Sequence, residues 1–306
     1  MATTVTMPVG NDITLAQKYL AMLDEVYARE SLTSMFEMPE DEVRWVGAKT
    51  ALLYDLNPVG LANYSRNAGF VAGDVDGSWN PYEIEVDRGR SFLADSMDDE
   101  ETMGLTFGKL LGVEERRFVI PELDAYRFAK IAGTSGVDGT TETISTAAAA
   151  LDAIDTATAA MDDNEVPYEG RILFCNPTFY KYLKGSLDRR IMNGDNNVDY
   201  NVAYLDNMRV ISVPSKRFNT AITLNAPTSS DGIGGYTATG QTINFMIVHP
   251  SAIMGVVKHR IPNIFSPAEN QEADGWKLNY RIYHDIWVRK NALDGVYVNA
   301  PAGASA

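Results

Sequence analysis

Apolar positions recur along this chain with two periods, one close to 3.6 residues and one of 2, and the places where the period changes divide it into elements. Residues 13–30 carry Leu15, Tyr19, Met22 and Val26 with Ala16, Leu20, Leu23 and Tyr27 beside them, a broad apolar stripe that predicts a helix. Such a helix either lies in a core or forms an arm that lays its stripe on a neighbouring subunit. Strand character dominates over 42–57 and again over 78–95, where Tyr82, Ile84 and Val86 alternate with Glu83, Glu85 and Asp87. Between them, residues 58–77 contain Gly60, Gly69, Gly73 and Gly77. Two long strands joined by a loop of roughly twenty residues exceed what compact domains use, and such a loop usually acts outside its own domain.

A helical region follows over 102–131, preceded by Asp98, Asp99, Glu100 and Glu101. Asp98 can cap the first turn and Glu101 can complete a capping box, and the run of acids suits the positive end of the helix dipole. A metal site is the rival reading, but hard-cation loops spread their ligands around the ion and do not present them contiguously. Pro121 lacks a backbone donor and must kink or split the helix. A second helix covers 143–161, with Ile144, Ala147, Leu151, Ile154, Ala157 and Met161 on one side. Short alternations come next: strand 171–175, helix 178–183, strands 209–213 and 242–248, an α/β or α+β block of about one hundred residues. Residues 232–240 read as a glycine-rich hairpin tip, without the Lys and following helix of a phosphate-cradling loop. From 276 to 288, Trp276, Leu278, Tyr280, Ile282, Ile286 and Val288 alternate with Lys277, Asn279, Arg281 and Asp285. That is one strand of about fifteen residues, about 50 Å long, where ordinary strands have five or six. His284 falls on its apolar face and reads as a satisfied core or interface histidine.

Composition adds limits. A chain of 306 residues, 45% apolar and 22% charged, can bury a proper core and is folded. It has no apolar run of membrane-spanning length and no signal-peptide pattern at its start, so it is expected to stay where it is made. Cys175, the single cysteine, lies in the apolar run Ile172, Leu173, Phe174 and reads as a buried, inert thiol. A net charge of -15 argues against a protein that grips nucleic acid by its phosphates.

No catalytic constellation stands out. His249, His259 and His284 are ten and twenty-five residues apart, without a second ligand at helical or zinc-finger spacing. The chain lacks a nucleophile elbow, a catalytic-cysteine signature, a dinucleotide fingerprint and a Gly-Lys-Ser/Thr loop. Among 41 acidic residues, carboxylate pairs arise by chance and support no glycosidase-like dyad. No cofactor is expected, and the reading is of a protein that is not an enzyme. Arm, long loop, long helix and long strand describe instead a subunit that reaches for its neighbours.

Two segments, DRGRSFLADSMDDEET at 87–102 and VIPELDAYRFAKIA at 119–132, resemble major capsid proteins of tailed bacteriophages, especially those of Gram-positive hosts. A third, GWKLNYRIYHDIWV at 275–288 continuing to NALDGVYV at 291–298, is similar to their closing strand. The resemblance implies an α+β chain with the Hong Kong ninety-seven type capsid fold. It implies an N-terminal arm over 1–40, an extended loop over 41–98, and a spine helix with the first part of a peripheral domain over 99–142. An axial domain would occupy 143–250, and the second part of the peripheral domain, with the long strand, 251–306. The implied function is self-assembly, as hexamers and pentamers, into the icosahedral or prolate head that encloses double-stranded DNA.

The partners implied are further copies of the chain, a scaffolding protein, a portal protein and a decoration protein. The short start before Ile13 leaves no room for a fused scaffolding domain, so a separate one is expected. Candidate assembly-interface residues are Tyr19 of the arm, Arg66, Trp79, Arg88 and Arg90 of the extended loop, Asp98 and Glu101 ahead of the spine helix, and Tyr280 and Arg281 of the long strand. Gly89 between two arginines suggests a bulge that turns one of them toward a neighbour, against a solvated edge strand as the alternative. One branch of the family joins a loop lysine to an asparagine of a neighbouring subunit. Here the interval 50–108 contains no lysine, so that weld is not expected. The competing readings are an encapsulin-like nanocompartment shell and an α/β enzyme with scattered acids.

Overall fold

The computed structural model describes residues 31–39, 43–47, 49–58, 62–64, 66–67, 69–70, 75–95, 112–186, 203–226, 234–260 and 263–301. The expected helix over 13–30, with Tyr19, and the acidic run with Asp98 and Glu101 lie outside the described residues. Strands β1 (Arg44–Val46), β2 (Thr50–Pro58) and β3 (Val75–Glu83) make an antiparallel sheet, and β4 (Val86–Asp95) follows. The sequence reads 78–95 as one strand. The chain instead leaves one sheet at Glu83 and enters another at Val86, with Ile84 and Glu85 between, because β3 pairs with β2 whereas β4 pairs with the long strand. The alternation of apolar and acidic residues runs unbroken through the crossing and hides it.

A helix follows over 112–132, widening into a π turn over Glu115–Val119 before continuing as α1 (Ile120–Ala132). Pro121, in the first turn of α1, is the cause expected from the sequence. A proline there removes one donor and crowds the preceding turn, and the wider turn relieves both. Then come β5 (Asp138–Thr141), α2 (Ala147–Asp163), β6 (Ile172–Cys175), α3 (Pro177–Ser186), β7 (Tyr204–Leu205) and β8 (Met208–Ser212). Thr146 caps α2, its hydroxyl accepting from the Ala149 N–H at 3.2 Å. The chain continues through β9 (Ile222–Leu224), β10 (Tyr236–Ala238), β11 (Phe245–Val248), β12 (Ile253–Arg260), β13 (Asn263–Phe265), β14 (Gly275–Val288) and β15 (Val296–Ala300).

Two sheets organise the body. The six-stranded sheet runs β5-β15-β11-β6-β8-β7, parallel at β15/β5 and β6/β8 and antiparallel elsewhere. Its central strands are apolar throughout because both faces are covered. Leu173, Cys175, Phe245 and Ile247 face α2 and α3 through Ala150, Ile154, Ala157, Met161, Phe179 and Leu183. The alternate residues Phe174, Met246 and Val248 join Phe128 and Ile131 of α1 in a second cluster. Burial pushes the Cys175 thiol up to about 12, as an inert core residue requires. The boundary read at 251 does not separate the sheets, since β15 returns to lie between β5 and β11.

The other sheet is built on β14, which spans 14 residues. β4 runs along one side, and β12 and β13 share the other. Helix α1 lies between the two sheets: Ile120 and Leu123 pack on Tyr280 and Ile282, and Phe128 and Ile131 pack among Ile286, Val288 and Phe174. On the far face of β14, Tyr283 and Trp287 join Val43, Ala51, Ile84, Met254 and Val256.

The bulge expected at Gly89 does not form, because the β4/β14 register is continuous from Asp95 to Val86. Gly89 is needed for close approach: a Cβ there would stand 2.8 Å from the Tyr280 carbonyl oxygen. The register shift in this sheet occurs on β12, between Val257 and His259.

Leu123 and Phe128 are 1% and 0% exposed. Replacing either with Asp places an unpaired charge at a face closed by two sheets, at a cost of several kcal/mol. Loss of cooperative thermal unfolding, and of particles, is expected for both variants; normal particles from either would show that this face tolerates a charge.

Candidate assembly surface

Most of α1 is apolar where it is buried, and the exceptions define where the N-terminal segment enters the body. Asp124 is fully buried. Its Oδ1 accepts from the hydroxyls of Ser31 at 2.9 Å and Thr33 at 2.7 Å and from the Thr33 N–H, and its Oδ2 accepts from the Leu32 N–H. Arg217 approaches the same carboxylate at 3.4 Å. One turn on, the buried Arg127 donates to the Thr33 carbonyl and hydroxyl and to Glu37 at 2.8 Å. Phe36 then enters the core against Phe174, ring centroids 5.9 Å apart. Glu37 bridges to Gly255, where a Cβ would stand 2.8 Å from the Phe36 carbonyl oxygen. The sequence reading missed Asp124 and Arg127. Their only signal is a charged pair three residues apart inside an apolar helix, which reads as a solvated face until the helix is seen to be enclosed.

The β2–β3 hairpin flanks the segment expected as a long loop, of which residues 62–64, 66–67 and 69–70 are described. Tyr54 and Trp79 are cross-strand partners with centroids 5.3 Å apart, and the Arg44 guanidinium lies 5.9 Å above the Trp79 ring. Tyr64 and Phe70 pair at 4.8 Å, with Arg66 exposed in the same segment. Tyr54 and Trp79 remain 48% and 45% exposed, and Phe70 89%. These rings are left in water in the single chain.

The root of this hairpin is held by charge. Lys130 on α1 contacts Glu85 at 2.8 Å and Asp285 at 3.2 Å, and Asp285 also accepts from the Tyr126 hydroxyl and the Glu85 N–H. Burial disfavours the Lys130 charge, but the hydrogen bond to Glu85 and the charge of Asp285 outweigh it and hold the ammonium above its usual range. Burial and the Asp285 charge likewise push the Tyr126 phenol up. The Tyr283 hydroxyl completes the root by donating to the Ile84 carbonyl at 3.1 Å.

A cleft of about 850 Å³ opens between β4, the helix over 112–132 and the β9–β10 hairpin. Tyr280, Ile282 and Leu123 line it, and the exposed side chains of Leu93 and Phe118 belong to the same lining. Arg88 spans it, gripping both oxygens of Glu122 at 2.7 and 3.2 Å and the carbonyls of Asn225 and Gly235. Burial raises the Glu114 carboxyl, with the Arg90 charge opposing.

Of the sequence candidates, two turn inward. Arg88 ties β4 to its own helix and hairpin and so is spent within the subunit, and Tyr280 is buried under α1 because its position faces the helix. Arg90 lines the cleft, Arg281 is exposed and held by Asp87, and Arg66 and Trp79 stand on the hairpin surface. His249 accepts from the Ser251 N–H as a local cap, and His284, read as satisfied, has a buried Nδ1 without a hydrogen-bond partner. Among the described residues no three His, Cys, Asp or Glu side chains gather as metal ligands, and no helix is long and apolar enough to cross a membrane.

A family model described as phage capsid protein matches residues 116–297. No curated protein matches the chain. Solved structures share its fold: a chain from Mycobacterium phage Che8 superposes with a TM-score of 0.60 at 15% identity, covering 90% of this chain and 93% of that one. The mature capsid of bacteriophage PhiM1 gives 0.57 at 13% identity, covering 90% and 88%. A virus-like particle from Pyrococcus furiosus gives 0.51 at 12% identity, covering 92% and 98%.

Asp124→Ala removes the carboxylate that holds Ser31, Leu32 and Thr33 and leaves buried donors without an acceptor. A loss of about 3–5 kcal/mol is expected, read by denaturant unfolding, together with new protease cleavage near residues 31–38. A loss below about 1 kcal/mol with unchanged cleavage would show that Phe36 alone anchors the segment.

Proposed function

The chain belongs to the phage capsid protein family, and from that premise we propose that it is the major subunit of a tailed-phage head, assembling with copies of itself around double-stranded DNA. Its place is the virion capsid, and the role of such a protein is structural. The observation that carries the proposal is the β2–β3 hairpin, whose aromatic pairs Tyr54/Trp79 and Tyr64/Phe70 remain exposed in the single chain. A neighbouring copy that covers these rings gains their burial, about 25 cal/mol for each Å² of apolar surface.

In this reading residues 1–40 are the arm, 41–98 the extended loop, 99–142 the spine and first peripheral part, 143–250 the axial domain and 251–306 the second peripheral part. Arg66 and Trp79 of the loop, Arg90 at the cleft and Arg281 on the long strand meet neighbours, as do Tyr19, Asp98 and Glu101. Contacts in a closed shell are heterologous and must close around an axis, giving hexamers and pentamers. A scaffolding protein guides assembly, a portal occupies one vertex and a decoration protein braces the exterior. No catalytic step and no cofactor enters this reading. The fold shared with the Pyrococcus furiosus virus-like particle supports a second reading, a nanocompartment loaded with protein. Electron microscopy of purified particles separates the two, since DNA and a portal vertex support the head and a protein cargo without either overturns it.

Two outcomes test the interfaces. Phe70→Asp should leave the folded subunit intact by circular dichroism and abolish large particles in size-exclusion chromatography. Particles of normal size would remove the hairpin from the assembly surface. Because 50–108 lacks lysine and an arginine guanidinium offers no free amine, mature particles boiled in detergent should release one band near 33.6 kDa. A ladder of covalent multimers would contradict a shell held by burial alone.

A further inference from the structure

His284 occupies a singular position on the long strand. It is 3% exposed and lies opposite Val86, where β4 begins and the hairpin takes root. Its ring stands edge-on to Tyr126 at 5.6 Å and forms part of the cleft wall, which gives it a route to solvent protons. Its Nδ1 is buried without a partner. On α1, Lys130 donates to the Tyr126 hydroxyl at 3.1 Å, and the charges of Lys130 and Arg127 disfavour a proton on the ring.

The acids around it are already engaged. Glu122 pairs with Arg88, Glu37 with Arg127, Asp87 with Arg281, and Glu85 and Asp285 with Lys130. Asp285, its neighbour on β14, further accepts from Tyr126, the Glu85 N–H and the Ile286 N–H. On β12 the register partner is the apolar Val257, and the nearby Lys258 donates to the Gly47 carbonyl. Tyr283, on the other side in sequence, donates to Ile84. A proton added to His284 thus adds a third cation to a neighbourhood in which the carboxylates named above are already paired.

We infer that His284 is a proton-operated latch at the root of the long hairpin. Neutral, the ring allows Lys130 to draw Glu85 and Asp285 together against α1. Protonated, it repels Lys130 and Arg127 and loosens the first residues of β4 from the long strand. Burial first, and then the charges of Arg127 and Lys130, hold the imidazole well below its ordinary value. A histidine depressed in this way contributes fully to stability above the ordinary value of 6.5, and that contribution is lost as the pH falls from there toward the folded value.

The test is hydrogen exchange on the full-length protein in its assembled form, at pH 7 and at steps down to about 4.5, corrected for the intrinsic rate. Peptides spanning 84–93 and 276–286 should exchange at least about tenfold faster at the acid end, while the α2–α3 face of the six-stranded sheet stays unchanged. His284→Gln, neutral at every pH, should remove most of this acceleration. His284→Phe, which keeps an aromatic edge against Tyr126, serves where the Gln variant does not assemble. Equal exchange at both pH values in the unaltered protein, or full acceleration in the neutral variants, would overturn the latch.

Discussion

The constraint that shapes the fold is that α1 is enclosed between two sheets while carrying charge. Burial of an aspartate and an arginine one turn apart is tolerable only if the charge of each is answered by hydrogen bonds. Asp124 and Arg127 meet that demand by capturing residues 31–37. Lys130 meets it by capturing Glu85 and Asp285, and Glu122, at the helix edge, by capturing Arg88. Residues 31–37, the root of the β2–β3 hairpin and the first half of β4 are thus each fixed to charged residues of the same two helical turns. The apolar side of the helix supplies the energy, and its polar residues supply the positions.

The long strand plays the complementary part. With β4 on one side and β12 and β13 on the other, it has no free edge along most of its length, so its backbone offers no template for stray pairing. Its two faces do different things: Tyr280, Ile282 and Ile286 lie toward α1, while Tyr283 and Trp287 support the base of the hairpin sheet. A shift of register by one residue would exchange these faces, and Gly89, where no Cβ fits against the Tyr280 carbonyl, admits the close pairing that fixes it.

Much of this was legible before any coordinates. The long strand, helix α2 and the short strands β6 and β11 follow from the hydrophobic pattern, because in each the pattern matches one local environment from end to end. What stayed hidden lies where a pattern continues across a change of environment. Tyr82, Ile84 and Val86 keep strict alternation although the chain changes sheets between Glu83 and Val86. The spacing of Asp124 and Arg127 is as natural to a solvent face as to a buried clamp. Arg88 and Tyr280 were read as reaching outward because their partners, Glu122 and Leu123, sit far away in sequence on the helix. Sequence periodicity reports which side of an element is apolar, and it does not report whether the other side is also covered.

The distribution of charge follows from the same economy. The chain has 26 basic and 41 acidic residues, and many of the basic ones are used internally: Arg88, Arg127, Lys130, Arg171 and Arg217 each hold an acid or a backbone carbonyl within the subunit. Cations engaged in this way are not free to displace counterions from phosphate, the step that gives nucleic-acid binding its strength. Each internal pair uses an acid as well as a base, so the clamps leave the net charge of -15 unchanged, and that surplus of acid suits a wall that surrounds a polyanion.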